Sequence, residues 1–305
     1  MEQSASDLAA ARISKRENAN TRNKLLIKAA TSGNFTSVNW LLHESGINPA
    51  ADNNAAIKSA AARGHAKIVN LLLLDGRADP TAGNSIVIRD AAKRGHVEIV
   101  DLLLRDGRAD PTAVDNYAIR KAAQNGHVDV VELLLTHVHP PKSMIVQVSR
   151  NGRTKIVELL LQDGRADPSG NAVIGWAIWG GHHKIVELLL QDSRVDLDVN
   201  YAISMAISCG HVGIIKMLFA DPRVAPNALT LAVHFRQEHI VRMLLQQGSV
   251  ETKIPTHHSA WLEALKNGST MLAQMIFDAG FVAHAYPMCY RYLRMINTNK
   301  VHPKK

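Results

Sequence analysis

The sequence predicts an all-α fold, a solenoid of short helical repeats. Three observations carry this: a recurring Gly-His pair, a leucine run that follows each pair, and a composition unsuited to one large core. Gly-His occurs at Gly64–His65, Gly95–His96, Gly126–His127, Gly181–His182 and Gly210–His211. The first three glycines stand 31 residues apart, and Gly33 lies 31 before Gly64. Gly152, followed by Arg153, fills the one long gap, and Glu238–His239 and Gly268 continue the beat. Self-similarity at such a period is the mark of a repeat array.

Each beat follows an Ala-rich segment, as in AAIKSAAARGH and YAIRKAAQNGH. After it comes a run such as AKIVNLLLLDGRADP, VEIVDLLLRDGRADP or TKIVELLLQDGRADP. Ile99, Val100, Leu103 and Leu104 in such a run fall at helical spacing. Each repeat therefore reads as helix, turn, helix, loop. The alanines Ala91, Ala92, Ala122 and Ala123 let neighbouring first helices approach closely. Gly95 ends its helix because glycine takes the left-handed conformation without steric cost. Gly76, Gly107 and Gly164 have the same role after the leucine runs. The Asp-Pro pairs Asp79–Pro80, Asp110–Pro111 and Asp167–Pro168 force extended backbone. Asn53, Asn84, Asn116, Asn171 and Asn200 are expected as N-caps of the following helices. The Asp-Gly-Arg-Ala-Asp segments are helix-end turns.

Composition agrees. Of the 305 residues 46% are hydrophobic but only 5% aromatic, which suits many small helices built from Leu, Ile, Val and Ala. A single repeat cannot bury its apolar stripe, whereas stacked repeats cover one another.

The run A-A-x-x-G-H-x-x-x-V-x-L-L-L followed by G-x-A-D resembles the ankyrin repeat, over roughly residues 21–288. The shortened form is similar to arrays of giant viruses, fungi and protists. Two departures matter. Ile119 and Arg120 stand where the family carries the Leu-His of Thr-Pro-Leu-His, so that hydrogen-bond network is absent. Few residues separate the A-D pair from the next helix, so the β-hairpin fingers are expected to be short or missing. Nine units are expected, at 21–52, 53–83, 84–115, 116–142, 143–170, 171–199, 200–227, 228–259 and 260–288. A basic polar extension, 1–20, precedes them, with a helix expected from Ser6, and a C-terminal tail, 289–305, follows. Irregular stacking is expected near THVHPPKSMI, at 136–145.

The chain lacks phosphate-loop, dinucleotide, zinc-protease and serine-hydrolase motifs, and no catalytic role or cofactor is expected. The repeat histidines share one structural position, where an imidazole can bond a backbone group. A metal or pH-sensing role is the alternative, but a zinc site wants about four converging ligands. Cys209 and Cys289 form no spacing motif and are expected as free thiols of a reducing compartment. No run approaches the ~20 apolar residues that span a bilayer. The expected setting is intracellular, cytoplasm or nucleus, and the expected state is a monomer.

The resemblance implies that partners bind the concave face, lined by first helices. Its exposed positions are read as Lys28 and Thr31, Ser59 and Ala62, Asp90 and Lys93, Lys121 and Gln124, Gln147 and Arg150, Trp176 and Trp179, Met205 and Ser208, Val233 and Arg236, and Glu263 and Lys266. The candidate partner-binding residues among them are Trp176, Trp179, Met205, Lys93, Lys121, Gln124, Gln147 and Arg150. Trp176 and Trp179 share a helix face, and tryptophan is enriched in binding hot spots. Filling of packing gaps is the other reading of this pair. The lysines and arginines, with a formal net charge of +8, suit an acidic protein segment. Binding of nucleic acid or another anionic surface is the alternative.

Overall fold

The computed structural model describes residues 19–196, 198–221, 228–246 and 254–279. Residues 1–18 and 280–305, with Cys289 and nearly all of the two expected terminal segments, lie outside it. Among the described residues there are eighteen helices and no β-strand. The first helices of the successive pairs are α1 (Ala19–Ser32), α3 (Ala51–Ala62), α5 (Ala82–Arg94), α7 (Ala113–Asn125), α9 (Met144–Arg150), α11 (Asn171–Trp179), α13 (Val199–Cys209), α15 (Ala228–His234) and α17 (Ile254–Lys266). The second helices are α2 (Phe35–Leu42), α4 (Ala66–Asp75), α6 (Val97–Asp106), α8 (Val128–Leu135), α10 (Thr154–Asp163), α12 (His183–Gln191), α14 (Val212–Ala220), α16 (Glu238–Gln246) and α18 (Thr270–Asp278).

The chain divides into two compact units. One holds the residues up to Val148 together with Arg153–Ala166; the other holds Ser149–Gly152 and the chain from Asp167 onward. In the first unit the first helices pack in the order α1, α3, α5, α7 and the second helices in the order α2, α4, α6, α8, α10. In the second unit α11, α13, α15 and α17 pack in turn, as do α12 with α14 and α16 with α18. The small residues set this spacing: Ala60, Ala61, Ala91, Ala92, Ala122 and Ala123 have no exposed surface. The aliphatic stripe fills the seam between helices, with Ile88, Val100, Leu103, Ile119 and Leu134 equally buried. Each such Leu or Ile contributes about 1.5–3 kcal/mol by leaving water.

A cross-repeat staple explains the Gly-His pair. His65 Nε2 donates to Thr31 O, His96 to Ala62 O, His127 to Lys93 O, His182 to Arg150 O and His211 to Trp179 O, at 3.0–3.4 Å. Each imidazole thus satisfies a carbonyl near the end of the preceding first helix, a group that a helix terminus leaves unpaired. Arg153 Nε does the same for Gln124 O, so the pair survives the loss of its histidine. The ring also lies against the preceding glycine. A Cβ on Gly95, whose φ is +80°, would stand 2.5 Å from His127 Nδ1. Glycine is therefore required twice, by its own backbone and by the next repeat.

The loops hold a second staple, built on the recurrent Asp-Gly-Arg segments, whose targets in the preceding repeat the sequence pattern did not suggest. Arg77 pairs with Asp75 and donates to Leu42 O and Ile47 O of the preceding repeat. Arg108 repeats this with Asp106, Leu73 O and Ala78 O. Arg165 pairs with Asp163 and reaches Leu135 O and His139 Nδ1. Gly76, Gly107 and Gly164 cap α4, α6 and α10 in the left-handed conformation, as the turn reading expects.

The asparagine expectation needs correction. α3, α5 and α7 each begin with a single turn of left-handed backbone: Asp52–Asn53–Asn54, Gly83–Asn84–Ser85 and Val114–Asp115–Asn116, all with φ between 50° and 67°. Asn53, Asn84 and Asn116 lie inside these turns instead of capping from an extended backbone; asparagine tolerates the left-handed region better than most residues. Asn171 and Asn200 are helical, after Gly170 and Asp198 as the capping residues. The left-handed turn occupies the place of a hairpin finger. Its last residue turns inward: Asn54 Oδ1 accepts from Asp79 N–H at 2.7 Å and Ser85 Oγ from Asp110 N–H at 2.9 Å. The equivalent Asn116 Oδ1 is buried without a partner. The residue in register with Asp79 and Asp110 is Pro141, which has no N–H to give. The expected irregularity at 136–145 thus takes a specific form, a loop without the donor that its neighbours use.

Val114 is a β-branched residue held at φ 57°, where Gly83 serves one repeat earlier. Val114→Gly is expected to stabilise the protein by about 1 kcal/mol, since a left-handed L-residue costs roughly 1–2 kcal/mol and glycine's added chain entropy offsets part of the gain. A higher urea midpoint checks it. Ser149 has no exposed surface and its Oγ has no hydrogen-bond partner, at the position of Ala61, Ala92 and Ala123. Ser149→Ala is expected to stabilise by about 1 kcal/mol, read from thermal melting, because an unsatisfied buried hydroxyl costs about 1–3 kcal/mol.

One exposure assignment slips. Val233 is fully buried. The left-handed residue of that repeat is Arg236, at φ 54°, and Gln237 N–H bonds Ala232 O as each repeat histidine's N–H bonds its own alanine. The beat falls at Arg236–Gln237 and not at Glu238–His239, which moves the exposed positions to Leu231 and His234.

Candidate functional site

The candidate residues lie along the first helices, and Lys93, Gln124, Arg150 and Trp179 sit near C-terminal ends whose carbonyls the staples hold. In the first unit Lys93 lies in the last turn of α5, and its carbonyl receives both His127 Nε2 and Asn125 Nδ2. The Lys93 side chain is exposed and bonds nothing among the described residues. On α7, Lys121 Nζ donates to Gln124 Oε1 at 2.8 Å and lies 5.7 Å from the Tyr117 ring, which Arg89 also faces at 5.3 Å. Gln124 is exposed and Gln147, on α9, points to solvent. Arg89 and Arg120 bind the carbonyls of their own left-handed turns. That lowers the number of free cations on this face below the sequence count.

The second unit holds the other four. Trp176 and Trp179 lie edge to face, with ring centroids 5.7 Å apart and planes at 84°. This is a favoured aromatic geometry. Trp176 is half-buried, whereas Trp179 is 56% exposed. The Arg150 guanidinium stacks on Trp176, 4.4 Å from the ring centroid. Arg150 and Trp179 are fixed at the backbone by His182 and His211. Met205, partly exposed, lies on α13, which packs on α11.

Sequence reasoning did not find Tyr201, whose ring is 37% exposed on α13. A Cβ on Gly175 would stand 2.6 Å from Tyr201 Oη, so the glycine in mid-helix is what admits the tyrosine. An unexplained glycine inside a helical pattern was the available signal. The Arg150–Trp176 stack follows from register, because these positions face each other diagonally across adjacent repeats.

The described residues contain no group of three or more His, Cys, Asp or Glu side chains placed to hold a metal ion. Cys209 is a free thiol, and burial raises its pKa. No described helix is long and apolar enough to cross a membrane.

Stacked helix pairs, with no β-strand among the described residues, define a helical-repeat protein. Residues 57–146, 88–162 and 120–201 each match the family model described as ankyrin repeats in three copies. Residues 57–201 thus carry ankyrin repeats. Such repeats generally mediate protein–protein interaction and are typically not enzymes. A search of curated protein sequences finds no match to the chain.

Proposed function

We propose that this protein is a non-catalytic interaction scaffold that binds a protein partner through its first-helix surface, with Trp176 and Trp179 as the principal anchors. The observation that carries the reading is the Trp179 ring, 56% exposed on an ordered helix beside Trp176 and Arg150. A rigid, exposed aromatic next to an arginine has the composition of a binding hot spot. Tyr201 and Met205 extend the same apolar surface. Lys93, Lys121, Gln124 and Gln147 are further contact residues on the first unit, where charge steers an acidic partner.

The test is affinity capture with the wild type and the Trp176→Ala/Trp179→Ala variant. Direct titration of each captured protein then follows. Loss of one hot-spot pair is expected to weaken binding at least about thirtyfold. Equal capture and equal affinity by the two proteins remove the pair from the site. The formal charge of +8 supports a second reading, electrostatic binding of nucleic acid. That reading requires affinity for DNA or RNA at low salt and a steep decline as salt rises.

A further inference from the structure

Arg150 is unlike the other arginines described above. Arg77, Arg108, Arg120 and Arg165 use their guanidinium groups on aspartates and backbone carbonyls. Arg150 has no hydrogen-bond acceptor or ion-pair partner among the described residues; its one side-chain contact given by the structure is the Trp176 ring at 4.4 Å. Stacking engages the flat face of a guanidinium and none of its five N–H donors. It also removes much of the rotamer freedom that a partner would otherwise have to restrict on binding. The backbone beneath is fixed as well, because Arg150 O accepts from His182 Nε2 at 3.1 Å. A planar bidentate donor is thus held in place with no acceptor among the described residues.

The surroundings narrow what it takes. α11, α13 and α15 carry no Asp, Glu, Lys or Arg at all. No neighbouring carboxylate on these helices competes for Arg150, and no second lysine or arginine there would serve a polyanion. A nucleic-acid backbone needs several cations in a row, and phosphate motifs are held by arginine clusters. One guanidinium matches one carboxylate. A cationic ligand is disfavoured because the Trp176 face is already occupied by a cation. Beside the anion point stands the exposed Trp179 ring, held edge to face against Trp176.

We infer that Arg150, Trp176 and Trp179 form a two-point receptor for a short peptide segment of the partner, in which an Asp or Glu side chain stands next to a large apolar one. Arg150 takes the carboxylate with two parallel N–H···O bonds. Trp179 covers the apolar side chain. This rests on the reading that the tryptophan pair is the partner site, and it specifies the chemistry of that partner.

The experiment is selection of a random short-peptide library on the 305-residue protein, followed by titration of the recovered peptides. Three variants enter the titration: Arg150→Gln, Arg150→Lys and Trp179→Ala. All three changes are at exposed side chains, and unchanged melting curves establish that each variant folds. The expected peptides place Asp or Glu within a residue or two of Leu, Ile, Phe or Trp. Replacing that acid by its amide is expected to weaken binding about tenfold, the loss of one charge-assisted pair. Arg150→Gln should bind acid and amide peptides equally. Arg150→Lys should keep only part of the preference, since a lysine is a point charge without the planar fork. Trp179→Ala should lose the apolar preference and retain the acidic one. Recovered peptides without acidic enrichment, or an acid-over-amide preference that survives Arg150→Gln, overturn the inference. If such peptides still depend on Trp179, the partner site stands and only its chemistry is wrong. If their binding ignores Trp179 as well, the site itself falls. A library that yields no binder also overturns the inference.

Discussion

Gly95→Ala is expected to destabilise the protein by about 3–4 kcal/mol, and about half of that loss should disappear when His127 is also alanine. Two costs combine. The first belongs to the backbone: Gly95 has φ +80°, and an L-residue there costs roughly 1–2 kcal/mol. The second belongs to the neighbouring repeat. The new Cβ would lie 2.5 Å from His127 Nδ1 and 2.8 Å from Cε1, so the ring must move away from Lys93 O. The carbonyl then loses its donor, at about 1 kcal/mol, and strain is added. His127→Ala alone should cost about 1 kcal/mol. In that background only the backbone cost of Gly95→Ala remains. The double-mutant cycle, read by urea denaturation, should therefore show about 1–2 kcal/mol of coupling. Additive losses would mean that the glycine and the imidazole act separately.

Arg77→Ala should cost about 2 kcal/mol at neutral pH, and the cost should shrink in acid. The guanidinium donates to Leu42 O at 2.9 Å and Ile47 O at 3.0 Å and pairs with Asp75 at 2.7 Å. Arg77 is 45% exposed and Asp75 15%, so the ion pair contributes only modestly and the carbonyl bonds carry more of the loss. Hydrogen bonding to Arg77 and its charge hold the Asp75 carboxyl below its ordinary range, against the opposing effect of burial. A depressed folded-state pKa gives stability above the unfolded value, near 4, that is lost as pH falls through the folded one. The difference between wild type and variant should thus be widest at neutral pH and narrow as the pH falls through the depressed folded-state value. What persists in acid measures the two carbonyl bonds. A gap that does not change with pH would assign the whole effect to those bonds.

The helix pairs were legible because the Gly-His beat and the leucine run report helix ends and buried faces directly. The histidine role was also legible, since one residue type at one phase in each repeat points to one local bond. Other features escaped for physical reasons. A left-handed turn such as Val114–Asp115–Asn116 has no residue signature beyond a tolerance for Asn, Asp and Gly, and extended N-caps favour nearly the same residues. The Asp-x-Arg staple was visible as a recurrence, but Asp75 and Arg77 are two apart on a loop, and their carbonyl targets lie thirty or more residues earlier. Val233 was misassigned because Arg236 does the work of a glycine. Of the candidate site, the tryptophans followed from helical spacing alone. The Arg150 stack and Tyr201 required the packing of one first helix on the next.

The staple also bears on how such an array can lengthen. The repeats of His65, His96, His127, His182 and His211 each lend an imidazole to the preceding first helix and set it against the preceding repeat's glycine. A copied block therefore brings a compatible half for each of its new neighbours, wherever in register it is inserted. Unequal recombination between the similar stretches around Gly64 and Gly95 would leave the glycine–imidazole junctions matched. Copy number can drift in this way without any compensating substitution.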